Sequence, residues 1–151
     1  MAKENLTHEE IKGSLIELGR IIGFISEEEY RIDDSRVDVV WKRMQGTDPS
    51  HALEVVVTKS TGTILRALTN LNDAIGSWKG VQLFIVTPEE IKQKIKKRVS
   101  KSFHDIEKVL LIMTPEDVIK LFNEFESVYL LARKFGLRIR AVKKLKTQTE
   151  H

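Results

Sequence analysis

The chain contains no cysteine. Disulfides and thiolate metal centres are therefore excluded, and any metal site must draw on carboxylates or on the four histidines. No apolar run approaches the roughly 18 residues of a membrane span, and Met1–Leu6 lacks the features of a signal peptide. A cytoplasmic protein with no membrane partner is the expectation. Glycine-rich phosphate loops are missing too, since Thr61-Gly62 has none of the P-loop arrangement. Neither a nucleophile elbow nor a Ser-His-Asp pattern occurs. His8, His51, His104 and His151 have no spacing for joint ligation, although His51, in a loop before a strand, could contact a phosphate.

What is present is 151 residues, 41% hydrophobic and 31% charged, the composition of an ordinary globular protein large enough for one real core. A single domain over 1–136 and a basic tail over 137–151, polar enough to be partly disordered, are expected. The net charge of +3 is modest but uneven. Lys92–Lys101 and Arg138–Lys146 are strongly basic, whereas Glu27–Asp34 is acidic. That asymmetry suits a polyanion partner beside an acidic metal site. The plainer reading is a pair of solvated helix faces and a frayed terminus.

The order of elements is legible. Thr7-His-Glu-Glu10 is a capping box that opens a helix with Ile11, Leu15, Leu18 and Ile22 as its apolar stripe, and Gly23 stops it. Glu29–Asp33, Arg36–Lys42 and Ala52–Thr58 read as three strands of an antiparallel meander. A helix follows over Thr61–Gly76, with Ile64, Leu68, Leu71 and Ile75 at helical spacing. Val81–Val86 is a buried strand, and Thr87-Pro-Glu-Glu90 has the form of a capped helix start. The pattern recurs in Val109–Met113 followed by Thr114-Pro-Glu-Asp117, so two βα units and some parallel pairing are expected. The last helix runs over about Pro115–Phe135 and ends at Gly136.

Arg36-Val-Asp-Val-Val-Trp41 and Ala52-Leu-Glu-Val-Val-Val57 are the most informative segments. Each is an apolar, β-branched run with one carboxylate inside it, and burying a carboxylate is costly without a cation or hydrogen-bond donors. The connecting loop is short enough for the strands to pair. Pairing about a centre near Thr47 sets Asp38 opposite Val56 and Glu54 opposite Val40, with the two acids diagonal on one ladder. Such a pair suits a hard divalent cation with oxygen ligands. The bland alternatives are a salt bridge from Asp38 to Arg31 or Arg36, and a solvent-facing Glu54 on an edge strand. Trp41 and Trp78 read as packing rather than as base-stacking platforms.

This order of elements, with Glu17 in the first helix, Asp38 in the second strand and Glu54 in the third, resembles the PD-(D/E)xK nuclease superfamily, the restriction-endonuclease-like fold, and within it the archaeal Holliday-junction-resolvase-like branch. The likeness covers about Leu6 to Val86. It implies an α/β fold with a mixed sheet, three antiparallel strands plus parallel βα units, flanked by helices. It implies Mg²⁺ or Mn²⁺ held by Glu17, Asp38 and Glu54, with water activated for attack on a phosphodiester. It further implies DNA as partner and a homodimer; the two basic stretches, read from charge alone, supply Lys92, Lys94, Lys96, Lys97, Arg98, Arg138, Arg140, Lys143 and Lys144 as the candidate backbone contacts. The pattern is broken two residues after Glu54, where Val56 stands in place of the expected lysine. Lys42, which shares strand parity with Asp38, is the first substitute and Lys59 the second. Two functions follow from the likeness: a metal-dependent DNA endonuclease open to structure selectivity, or a DNA-binding or protein-interaction module that keeps the fold without the chemistry.

Overall fold

A computed structural model describes residues 6–137; the candidate contacts Arg138, Arg140, Lys143 and Lys144 lie outside the described residues. The element order is α1 (His8–Ile22), β1 (Ile25–Ile32), β2 (Ser35–Lys42), β3 (His51–Val55), α2 (Thr61–Ser77), β4 (Gln82–Val86), α3 (Glu89–Ser102), α4 (His104–Glu107), β5 (Leu110–Met113) and α5 (Pro115–Lys134). The five strands form one mixed sheet in the order β1-β2-β3-β4-β5. The first three are antiparallel neighbours, while β3–β4 and β4–β5 are parallel. Strand alternation feeds two cores. Ala52, Leu83 and Ile85 pack with α2, α3 and α4 on one face, while Leu53, Val55 and Val86 pack with α1 and α5 on the other. Among the described residues no helix is long and apolar enough to cross a membrane.

The helix ends follow local chemistry, with two corrections. Thr7 and Glu10 form the expected capping box of α1, and Gly23 closes the helix in the left-handed region at φ 116°. The buried stripe uses Ile21, 5% exposed, where Ile22 was expected; Ile22 is 45% exposed. The stripe of Leu15 and Leu18 continues at i+3, so the helix turns Ile21 rather than Ile22 inward. Thr114 and Asp117 form a second capping box at α5. Thr87 does not do the same for α3: Pro88 occupies the cap and no side chain bonds the first turn. Thr87 is fully buried at the end of β4, where its N–H donates to the Met113 carbonyl across the parallel pair.

Close approach of α1 to the sheet depends on Gly19. A Cβ there would lie 2.3 Å from Trp41 Nε1 and 2.5 Å from Ser26 Oγ. Both atoms are anchored, because Trp41 Nε1 donates to the Leu15 carbonyl at 3.1 Å and Ser26 Oγ to the Ile16 carbonyl at 2.8 Å. Trp41 also stacks on Phe24, with ring centroids 5.4 Å apart. The helix carrying His8 is thereby locked against the strand carrying Asp38.

The register of β2 against β3 differs from expectation by one residue pair. Val39 pairs with Leu53, Val40 with Ala52 and Trp41 with His51. The pairing is centred on Gly46 rather than Thr47, so its continuation sets Asp38 opposite Glu54 instead of diagonal to it. The hairpin tightens through the Ser50 N–H, which donates to the Trp41 carbonyl at 2.9 Å.

Candidate functional site

Regular pairing stops where the two acids meet. In β1–β2, Glu28 pairs with Val39 and Tyr30 with Val37, and the intervening Glu29 and Asp38 are unpaired. Glu29 sits in the left-handed region at φ 51°, a conformation uncommon for a residue with a side chain and often stored at functional positions. Carboxylates take over from the ladder. The Asp38 N–H donates to Glu54 Oε2 at 2.7 Å, and the Val55 N–H donates to Asp38 Oδ2 at 2.8 Å. Each acid thus accepts a main-chain hydrogen from the other's strand, which holds the two carboxyl groups side by side.

Two further residues complete the arrangement, and sequence reasoning missed both in this role. His8 Nε2 lies 3.2 Å from Asp38 Oδ2. Asn70 Nδ2 donates to Glu54 Oε1 at 2.9 Å. His8 belongs to the helix start, as its place in the capping segment indicates, and the capped first turn also aims it across 30 positions of sequence at β2. Asn70 had a faint signal: it borders the apolar stripe of α2, next to Leu71, where a polar side chain must find a partner.

The electrostatics are those of two acids sharing one place. Glu54 is 3% exposed and lies on β3, the central strand; the solvent-facing edge reading of this residue is thereby excluded. Burial, and next the charge of Asp38, push its carboxyl well above the ordinary value, against the hydrogen bonds from Asn70 and the Asp38 N–H. Without a cation the charged form of Glu54 is thus disfavoured beside Asp38. Asp38 makes no ion pair with an arginine among the described residues; Arg36 instead reaches Glu29 at 3.3 Å. Beside the pair opens a cleft of about 840 Å³ lined by His8, Asp38, Glu54, Thr63 and Asn70, with Arg31, Arg36 and Arg66 contributing positive charge and Glu29, Asp33 and Asp34 negative charge.

The other expected site residues are elsewhere. Glu17 is not among the residues lining the cleft and pairs with Arg20, one turn along α1. Lys42 does lie on a strand neighbouring Glu54's, but at the far end of β2, opposite Ile25. Its ammonium reaches Glu27 at 2.7 Å and covers the Tyr30 ring at 4.7 Å. Lys59 is exposed beyond β3, and its carbonyl accepts a hydrogen bond from Lys94. Val56 is wholly buried in the core beneath α2. One lysine that sequence reasoning did not consider pairs with Glu29 of the cleft lining. Lys12 is buried one turn after His8 and sits 3.4 Å from each of Glu9, Glu28 and Glu29. Burial lowers its pKa, but the three glutamates outweigh this and leave it raised, so Lys12 stays charged behind the cleft wall.

His51 does not face this cleft; it packs among Phe24, Trp41 and Phe84, and burial followed by the charge of Arg43 lowers its pKa. Trp41 and Trp78 are 5% and 6% exposed, so neither offers a face to a base. Among the described residues no three histidine, aspartate or glutamate side chains converge closely enough to enclose a metal by themselves. Asp38 and Glu54 remain a fit for a cation that retains water, since Mg²⁺ commonly uses one or two protein carboxylates. The corresponding structural sign is the placing of a nearly fully buried carboxylate beside a second one, a charge that a bound cation would compensate. No protein-family model, no curated protein and no solved structure matches the chain.

Proposed function

We propose that the Asp38–Glu54 cleft holds one divalent cation, Mg²⁺ or Mn²⁺, and that the protein hydrolyses DNA phosphodiesters as a metal-dependent endonuclease. The observation that carries this reading is the convergence of two carboxylates from adjacent strands in a cleft rimmed by Arg31, Arg36 and Arg66. Carboxylates alone would repel a phosphate, and arginines alone would need no buried acid. Together they suit a phosphate bound through both a cation and guanidinium groups. The fold supports the likeness to the restriction-endonuclease-like proteins, with three antiparallel strands followed by two parallel pairs and helices on both faces.

A cation bound here would supply charge stabilisation on the phosphate and activation of water. The chain's own groups do the remaining work. Asp38 and Glu54 provide oxygen ligands, and the N–H groups of Asp38 and Val55 fix their orientation. Asn70 holds the second oxygen of Glu54, and His8 stands beside Asp38, where it can accept or return a proton. The exposed Arg66 takes the electrostatic place that Val56 leaves empty.

A second reading is favoured by one specific observation. Val56 is sealed in the core, Lys42 is turned to Glu27, and among the described residues no lysine lines the carboxylate cleft. On that reading the protein binds DNA without cutting it. Cleavage of supercoiled, linear, single-stranded and four-way-junction DNA with Mg²⁺ or Mn²⁺ separates the two. Cutting that is lost in both Asp38→Asn and Glu54→Gln supports the endonuclease. DNA binding without cutting on any substrate contradicts it and leaves the binding module.

A further inference from the structure

The basic helix α3 has two unlike flanks, and only one of them continues the cleft. A groove of about 300 Å³ is lined by Thr61 and Ile64 of α2 and by Lys94, Lys97, Arg98 and Lys101 of α3. Thr63 and Arg66, from the same turns of α2, line the carboxylate cleft on the other side. The start of α2 is therefore a low wall between the mixed-charge carboxylate cleft and a purely cationic groove. The other lysines of α3, Lys92 and Lys96, line a separate depression with Glu107 and the β5 residues Leu110–Ile112. Helical geometry explains the split: the buried stripe of Ile91, Ile95 and Val99 runs between the two sets, so they project to opposite sides of it.

We propose that one DNA backbone runs from the carboxylate cleft across the first turns of α2 into the Lys94, Lys97, Arg98 and Lys101 groove, and that Lys92 and Lys96 take no part. This rests on the reading of the cleft as a phosphodiester site. The cations along the track are Arg31, Arg36 and Arg66 at the cleft, where Arg36 also reaches Glu29, and then the four α3 side chains, whose groove has no acid in its lining. A helix is about 10 Å across, and phosphates of one strand follow one another every 3.4 Å or so of duplex axis. Crossing α2 therefore takes about three phosphates, so the site recognises a polymer and not a mononucleotide. The opposite flank has an acid, Glu107, beside its lysines and the exposed apolar Leu111 in its wall, which suits a phosphate backbone poorly.

The test compares two double variants of equal charge change in the full chain, Lys94→Gln with Lys97→Gln against Lys92→Gln with Lys96→Gln. Duplex DNA affinity is read by fluorescence anisotropy over a salt series, and Mn²⁺ binding to each variant by calorimetry. The expected result is a loss of about tenfold or more in the first pair, with the slope of log affinity against log salt reduced by about 1.8, as two lost phosphate contacts require. The second pair stays within about twofold, and Mn²⁺ binding is unchanged in both. Equal losses in the two pairs, a larger loss in the Lys92 and Lys96 pair, or no DNA binding by the wild type would overturn the proposal. If the pairs differ as expected but the wild type binds no Mn²⁺, the track stands and the cation reading of the cleft fails. If Mn²⁺ binds and the pairs are equal, the cleft reading stands and the track fails.

Discussion

Replacing Gly19 by alanine is expected to destabilise the protein by about 1–2 kcal/mol. In an exposed helix the same change would stabilise by about 0.8–1 kcal/mol. Here the new methyl would meet Trp41 Nε1 at 2.3 Å and Ser26 Oγ at 2.5 Å. Neither neighbour can yield freely, since each donates to a carbonyl of α1 itself. Relief requires either breaking those two bonds, at about 1 kcal/mol each, or lifting α1 off the sheet, with an overpacking cost of about 1–3 kcal/mol. Set against the propensity gain, the net loss is a large share of a typical total of about 5–15 kcal/mol. Urea denaturation followed by tryptophan fluorescence measures it, because Trp41 reports directly on the contact. Gly13→Ala is the control, since a Cβ there meets nothing within 4 Å; it should be neutral or slightly stabilising. A Gly19→Ala protein as stable as the wild type would refute the claim that this contact sets the seat of α1, and with it the account of how His8 is placed.

Three further outcomes are expected. Glu54 has its pKa raised above the ordinary 4.5 by burial and by Asp38; a raised acid contributes stability that is complete below its unfolded pKa and is lost as pH rises through the folded one. Metal-free stability should therefore fall as pH climbs from about 4.5, and Glu54→Gln should flatten that part of the profile; an identical slope in both proteins would sink the assignment. Lys42→Ala should cost about 1–2 kcal/mol through the lost Glu27 pair and Tyr30 ring contact, yet leave Mn²⁺ affinity unchanged. A weakened cation site in that variant would place Lys42 in the cleft after all. Asn70→Leu removes the donor to Glu54 Oε1 and should move the Glu54 titration further upward, as read by carboxyl NMR; a downward shift would contradict the hydrogen bond's role.

Local signals carried most of the fold. The capping boxes at Thr7 and Thr114, the apolar stripe of α2 and the two βα units are all short-range chemistry, and each is found where its residues place it. Thr87 shows the limit. Its Thr-Pro-Glu context matches that of Thr114 closely, but parallel pairing of β4 with β5 draws it into the sheet and Pro88 takes the cap. The acids Asp38 and Glu54 were legible because an apolar strand marks an embedded carboxylate. Their direct opposition was not, since it depends on a hairpin register centred one residue earlier. His8, Arg66 and Asn70 come from helices whose docking is set by tertiary contacts such as Gly19 against Trp41, so strand patterns could not have located them. Lys42 failed as a substitute for a similar reason: parity gives a face, but distance along the strand and the pull of Glu27 decide the partner.

The most direct measurement is calorimetric titration of Mn²⁺ into the wild type, Asp38→Asn and Glu54→Gln at two pH values between about 5.5 and 7.5. One bound ion per chain is expected, with affinity rising with pH as the Glu54 proton is displaced, and with binding lost in both variants. Absence of binding to the wild type, or binding that persists in both variants with no pH dependence, would contradict the reading of the Asp38–Glu54 pair as a cation site.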